Sequence, residues 1–360
     1  MSVPGLLLAG MALTFLEGSA WARTNEMTAQ INNLFEQYNR PGAPGASVMV
    51  IKNGKPIFAR GYGFADVEQK IRCGTDTNFR LASVTKQFTA MAVMMLAERK
   101  KLSLEERLTD FFPEFPAYGS AITVRHLLSH RSGLIDYEDV IPKGTAIPVL
   151  DRDVLRLLMQ QAKTYFRPGA KYRYSNSGYA ILAQVVEGRS GMPFAQFLKR
   201  HIFEPLKMSK TLAYEQGIAA VPNRAFGYSV KSPGFVRTDQ SLTSSVLGDG
   251  GVYSSVADLC KWDAALYTGK LVSPKLRRLA FTAGPSTEHP ETGYGFGWYI
   301  GKYRGLKEIW HSGNTIGFTT RIARFPEKRF TVIILTNRNE AELAEMPHKI
   351  ADMCLFAARD

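Results

Sequence analysis

Ser83 and Lys86, three residues apart in the stretch LASVTKQF (81–88), are the side chains in this 360-residue sequence best spaced to do chemistry together. At the start of a helical pattern they share one face, a single turn apart. A serine hydroxyl is a poor nucleophile at neutral pH, and a neighbouring amine that takes its proton is one way to activate it. A lysine can serve if burial or nearby charge lowers its pKa. The free N–H groups and positive dipole end of a helix start would also favour a developing oxyanion beside the serine. Alone the pair is weak evidence, because roughly one such spacing arises by chance in a chain this rich in serine.

Two downstream stretches add to it. Arg167 to Tyr179, RPGAKYRYSNSGY, has a Pro-Gly turn followed by Tyr174-Ser175-Asn176 in a segment dense in hydroxyl and amide groups. A phenol beside a lysine could relay a proton, and a side-chain amide could hold a substrate amide or ester; the bland alternative is an aromatic turn packed under a helical region. Trp310 to Phe318, WHSGNTIGF, reads as the end of a strand. Its glycines, 313 and 317, allow close backbone approach, so an extended substrate could lie along it and its N–H groups could complete an oxyanion hole. A lone histidine on a strand, such as His311, is more often structural than functional.

The elements that must position these groups follow from periodicity. Residues 24–39 predict a helix, with Met27, Ile31, Leu34, Phe35 and Tyr38 on one face. Ala46 to Ile51 and Pro56 to Tyr62 predict a hairpin about the turn Asn53-Gly54. From Phe88 to Leu96 the helix carrying Lys86 is apolar nearly all round, as a helix buried between layers must be. Residues 102–246 read as mostly helical, with little convincing strand. Strands return in GYGFGWYI, LKEIWHSG, GFTTRIARF and RFTVIILTN, before a final helix from about Glu340 to Ala358. The expected fold is α/β (α+β): one antiparallel sheet shared by residues 23–101 and 247–360, carrying Ser83 and His311, flanked by helices, with an inserted helical domain, 102–246, carrying Tyr174.

Composition is that of a globular chain, 45% hydrophobic and 21% charged. The net charge of +13 invites a nucleic-acid reading, but the basic residues are scattered and no binding motif supports one, so no nucleic-acid partner is expected. Residues 1–22 resemble an export signal, an apolar run from Leu6 to Leu16 followed by Ala20-Trp21-Ala22, with cleavage expected after Ala22. The run is too short for an ordinary membrane span. The expected location is therefore outside the cytoplasm, periplasmic or extracellular. Cys73, Cys260 and Cys354 are too few and too far apart for a disulfide framework. His126 and His130 have the spacing of helix metal ligands, yet no glutamate adjoins the first and no third ligand is evident, so structural roles and no metal are expected. There is no G-x-S-x-G elbow of the α/β-hydrolase kind.

Taken together, the three stretches resemble the serine penicillin-recognising enzymes, in particular the group around class C β-lactamases and D-alanyl-D-alanine carboxypeptidases. The order S-x-x-K, Y-x-N, [K/H]-[S/T]-G is met by SVTK, YSN and HSG. LLSHRSGL (127–134), the block 167–191 and LGDGGVYSSVADLCKW (247–262) look like further family segments, so the likeness covers most of residues 30–355. The resemblance implies Ser83 as nucleophile, Lys86 as its activating amine and Tyr174 as proton relay and general base. It implies Asn176 as a substrate-orienting amide, His311, Ser312 and Gly313 along the opposite wall, and an oxyanion hole from the N–H groups of Ser83 and Asn314. The reaction implied is acyl transfer through an acyl-enzyme on a peptide amide, β-lactam or ester, with no cofactor. The partners implied are a small-molecule or peptide substrate, including peptidoglycan fragments.

His311 stands where many β-lactamases carry lysine. A β-lactam or D-Ala-D-Ala peptide presents a carboxylate, which a permanent cation attracts and a neutral histidine does not, so strong β-lactamase activity is not expected. Arg321 or Arg324 could supply the missing charge. Three readings stand: a D,D-carboxypeptidase-like or β-lactamase-like hydrolase, a carboxylesterase for short acyl esters, and an inactive module that binds cell-wall fragments. The intact SVTK, YSN and HSG set opposes the third, since a binding module has no need of a lysine beside its serine. The first two are separated by loops around 135–148 and 226–247, which carry no recognisable code.

Overall fold

A computed structural model describes residues 25–339 and 342–356. The expected signal, residues 1–22, lies outside them, as do the ends of the expected final helix. Helix α1 (25–34) runs into a short 3-10 turn, Glu36–Tyr38. Strands β1 (Ala46–Lys52) and β2 (Lys55–Tyr62) form the hairpin, its turn made by Asn53 and Gly54 at φ 53° and 76°, the left-handed pair that a tight hairpin requires. Helix α2 (Lys86–Glu98) is buried from Lys86 through Leu96. Then come α3 (Asp151–Met159), α4 (Asn176–Ser190) and α5 (Val256–Ala265). Strands β3 (Gly293–Tyr294), β4 (Tyr299–Tyr303), β5 (Leu306–Thr315), β6 (Phe318–Phe325) and β7 (Phe330–Thr336) follow, and α6 (Met346–Ala351) extends into a wider turn, Asp352–Phe356.

The seven strands form one sheet in the order β3-β4-β5-β6-β7-β1-β2, every neighbouring pair antiparallel. Its two faces follow from the period of two. Met49 and Ile51 of β1, with Ile333 and Leu335 of β7, join the large core around α2 and α4. Val48 and Val50, with Val332 and Ile334, instead pack on Ile31, Phe35 and Ile350 of the terminal segments. The result is the expected antiparallel sheet between helical layers.

Residues 102–246 are not wholly helical. Tyr228–Lys231 and Gly234–Arg237 pair as a hairpin, and Leu212–Ala213 joins Val252–Ser254 and Phe79–Arg80 in a small sheet. These strands of two to four residues are too short for an alternating pattern to announce them. The small sheet matters for the site, because it docks the segment 247–254 beside the turn that carries Ser83. Among the described residues no helix is long and apolar enough to cross a membrane.

Candidate active site

Ser83 is not in the first turn of α2, as the spacing suggests, but in a 3-10 turn, Ala82–Thr85, that leads into it. Ala82, immediately before the serine, has φ +48°, a conformation that costs a non-glycine residue on the order of 1 kcal/mol. The surroundings hold it there. Leu81 N–H donates to Val252 O at 2.8 Å, and Leu81 O accepts Thr320 Oγ1 of β6 at 2.7 Å. On the β5 side the approach is so close that a Cβ on Gly313 would sit 2.2 Å from Leu81 O. The glycine of HSG is thus a packing requirement of the turn that presents Ser83.

Lys86 opens α2 with a fully buried side chain. Its Nζ reaches Ser83 Oγ at 3.0 Å, Asn176 Oδ1 at 2.9 Å and the main-chain O of Asp249 at 2.9 Å. An ammonium donates to all three. A neutral amine donates to Asn176 and Asp249 and keeps its lone pair for the Ser83 proton. Burial drives the amine's pKa down to about 8, against the opposing charges of Asp249, Asp136 and Glu138, so the neutral form is accessible near physiological pH.

Tyr174 closes the other side. Its hydroxyl is buried without a hydrogen-bond partner. Burial raises its pKa well above that of an ordinary phenol, and the Ser83 hydroxyl is the group that offsets this most. Its ring lies 4.9 Å from Lys86 Nζ. The residues after it start α4: Ser175 Oγ caps the helix by accepting Gly178 N–H at 3.1 Å, which leaves Asn176 on the first turn, facing Lys86. The Ser175 N–H donates to His130 Nδ1 at 3.1 Å, and the His130 ring packs 4.3 Å from that of Tyr174. His130 therefore braces the YSN segment, while His126 Nδ1 accepts Thr123 N–H at 3.3 Å within the cap of its own short helix.

On the far wall, β5 is paired to β4 only as far as Trp310. Residues 311–315 therefore present an open edge beside the Ser83 turn. His311 faces the site, but both its nitrogens are taken. Nδ1 lies 2.7 Å from Ser312 O, and Nε2 lies 2.9 Å from Tyr294 Oη. Burial and the neighbouring Lys86 press its pKa down to about 3, so the ring is neutral, Nδ1–H donates, and Nε2 accepts from the tyrosine. His311 contributes shape and no positive charge. Strand alternation sends Ser312 to the other side of the sheet from His311, opposite Arg321. There Ser312 and Asn314 line a cavity of about 690 Å³ that also touches Asn33 and Lys349. Of the expected wall, His311 and Gly313 face Ser83, and the side chain of Ser312 does not.

Neither expected arginine reaches across to Ser83. Arg324 is buried with Nε 2.7 Å from Asp263 Oδ1. Arg321 lies on the outer face over Trp310, 3.9 Å from Glu308. The charged side chains that act on Lys86 are instead acidic: Asp249, Asp136 and Glu138. Glu138 Oε1 stands 3.5 Å from Asn176 Nδ2, and burial raises the carboxyl pKa of both Asp136 and Glu138. Beside Tyr174 a groove of about 700 Å³ runs between Tyr165, Tyr172 and Glu288. The acids Asp136, Glu138 and Asp249 and the phenol of Tyr137 escaped the motif reading, whereas His130 has a structural role, as expected. The one sequence signal among the missed groups is that Asp249 falls within a segment already noted for family likeness.

A serine in contact with a buried lysine, with a phenol and an amide converging on the pair beneath an antiparallel sheet, defines a serine hydrolase. The chain belongs to the Beta-lactamase family, whose pattern matches residues 31–354. Penicillin-binding protein 4* of Bacillus subtilis (strain 168) is 31% identical over 343 residues, which is 91% of this chain and 75% of that protein. Among solved structures, the octameric penicillin-binding protein homologue from Pyrococcus abyssi superposes with TM-score 0.79 at 27% identity, over 92% of this chain and 77% of that one. The D-amino acid amidase from Ochrobactrum anthropi SV3 shares the fold with TM-score 0.79 at 24% identity, over 92% and 98% of the two chains.

Proposed function

We propose that this protein cleaves amide and ester bonds through an acyl-enzyme on Ser83, and that its preferred substrates lack a carboxylate beside the scissile carbonyl. The contact between Lys86 Nζ and Ser83 Oγ, 3.0 Å long and fully buried on the lysine side, carries the first part. Ser83 Oγ bonds to the carbonyl carbon as its proton passes to Lys86 Nζ. The tetrahedral adduct collapses, and the departing amine or alcohol takes a proton from the Lys86–Tyr174 pair. Water then hydrolyses the Ser83 ester with the same groups acting as base. Asn176 orients the acyl part, and the open edge of β5, with the N–H groups of Ser83 and Asn314, receives the oxyanion.

The second part rests on charge. His311 is neutral with both nitrogens engaged, Arg324 is committed to Asp263, Arg321 lies on the outer face near Glu308, and the charges that act on Lys86 are acidic. A penicillin or D-Ala-D-Ala carboxylate would meet repulsion here, whereas short acyl esters and the amides of amino acids would not. A penicillin-recognising peptidase acting on cell-wall peptides is the second reading, favoured by the likeness to Penicillin-binding protein 4*. Export is part of the proposal, supported by the apolar run Leu6 to Leu16 before Ala20-Trp21-Ala22.

Intact-protein mass spectrometry after brief exposure to a fluorescent penicillin, with hydrolysis of p-nitrophenyl butyrate on the same samples and on Ser83→Ala, separates these readings. The expected result is ester cleavage that vanishes in Ser83→Ala, with little penicillin adduct. A stoichiometric adduct dependent on Ser83 would instead establish the peptidase reading, and turnover retained in Ser83→Ala would refute the nucleophile.

A further inference from the structure

Lys86 has a charge partner that its motif does not contain. The short helical segment Leu247–Gly250 is held in place twice. Asp151 accepts the Leu247 and Gly248 N–H groups at 2.8 and 2.9 Å, and Thr89 Oγ1 of α2 donates to Gly248 O at 2.6 Å. The segment thereby sets the carbonyl of Asp249 2.9 Å from Lys86 Nζ and buries the carboxylate of the same residue, whose charge acts on the amine from beyond ion-pair distance. Oδ2 of that carboxylate accepts Tyr137 Oη at 3.1 Å. Tyr137 is fully buried, and its N–H donates to Ser177 Oγ of α4 at 2.8 Å. A chain of contacts therefore runs from α4 through Tyr137 and Asp249 to the amine of Lys86.

We propose that Asp249, anchored by Tyr137, is a positioning residue that keeps Lys86 basic enough to take the Ser83 proton despite the lysine's complete burial. The inference rests on the reading of Ser83 and Lys86 given above. Burial alone would push a lysine so far down that its neutral amine would be a feeble base, and a rate gained in neutral fraction would be lost in proton affinity. A buried carboxylate acting on the amine opposes that fall. Its own pKa is pushed up to about 6 by burial, and is held from rising further by Lys86, the Tyr137 hydroxyl and Arg80. Between about 6 and 8 the two groups then stand as carboxylate and ammonium, and they titrate as a pair. The other ionisable groups facing them are Asp136, Glu138, Asp151, Tyr174, Tyr179 and the histidines His130 and His311, whose pKa values burial and Lys86 push down. Asp136 and Glu138 are more open to solvent and act on Lys86 less than Asp249, which is buried and leads the charges acting on it. Arg80 is tied by Nη2 to Ser244 O and by Nε to Gly250 O.

The sign is definite. Removing the negative charge makes the ammonium less favourable, so the acidic limb of kcat/KM moves to lower pH while the plateau rate falls with the weakened base. The experiment is a pH profile of p-nitrophenyl butyrate hydrolysis for the wild type, Asp249→Asn and Ser83→Ala, with melting curves on each. Asp249→Asn keeps the main-chain carbonyl and an oxygen for Tyr137. Its limb should shift down by about one pH unit, with a plateau kcat lower by about threefold to tenfold and KM unchanged. A limb that stays in place, or moves up, overturns the inference, even if kcat falls. Should Asp249→Asn fail to fold, Tyr137→Phe carries the test, because a carboxylate without its donor is protonated at higher pH. The expected shift there has the same direction and a smaller size, and an unmoved limb again overturns the proposal. Activity surviving in Ser83→Ala would instead bring down the acyl-enzyme reading itself.

Discussion

Tyr174 shows how chemistry and stability separate at a single residue. Its hydroxyl is buried and makes no well-formed hydrogen bond, with the Ser83 hydroxyl the group that most offsets its burial, a state that costs up to about 1–3 kcal/mol because the hydrogen bonds of water are not fully replaced. The buried phenols of Tyr38 and Tyr267 share this state, so it is the place beside Ser83 and Lys86 that fits Tyr174 to relay a proton. Tyr174→Phe is therefore expected to leave the melting temperature unchanged or slightly raised, and KM close to that of the wild type. Its kcat for p-nitrophenyl butyrate should fall by about 10²–10⁴-fold. An unchanged kcat would remove the phenol from the proton path.

At the scale of elements, the site depends on how closely β5 approaches the 3-10 turn. Gly313 leaves no room for a Cβ, with Leu81 O at 2.2 Å and Thr320 Oγ1 at 2.6 Å from where it would be. Gly313→Ala must push the strand away from the turn, and a shift of about 1 Å in a nucleophile can cost on the order of 10²-fold in rate. Hydrolysis should drop by that much while the circular dichroism spectrum stays native; wild-type activity would show that the turn is not held by this contact. This dependence explains what the sequence made legible. SVTK, YSN and HSG are short patterns tied to backbone geometry, and the long strands β1, β6 and β7 alternate or run apolar over seven or eight residues, so both could be read. Asp249 and Tyr137 could not, because a buried polar pair 112 residues apart has no local period. Nor could the free half of β5, which exists because β4 begins only at Tyr299, opposite Trp310. The side of Ser312 was hidden for a related reason: alternation says that His311 and Ser312 diverge, but not which of them meets α2.

At the scale of the molecule, the helical layer and the sheet are joined by a buried ion pair. Asp263 of α5 accepts Arg324 Nε of β6 at 2.7 Å and Thr331 Oγ1 of β7 at 2.9 Å, and both charged side chains are about 2% exposed. Asp263→Ala would leave the guanidinium buried without its counter-charge, a loss of roughly 3–5 kcal/mol. Urea unfolding should show this as a lower midpoint, and the double variant Asp263→Leu with Arg324→Met should recover most of it. A single variant within 1 kcal/mol of wild type would mean that water reaches the arginine.

The strand order carries one more consequence, for the chain as it is made. β1, complete by Lys52, has as its neighbour β7, which begins at Phe330, and Gly313 and Thr320, which brace the Ser83 turn, also come late. A nascent chain that ends between Asn176 and Phe330 holds the whole SVTK and YSN segments yet lacks the strand that joins β1 and β2 to the rest of the sheet. Such a long-range closure is slow and leaves strand edges bare while it waits. It also means that the sheet against which the Ser83 turn rests is closed only when the chain is nearly finished, by the last strand to arrive.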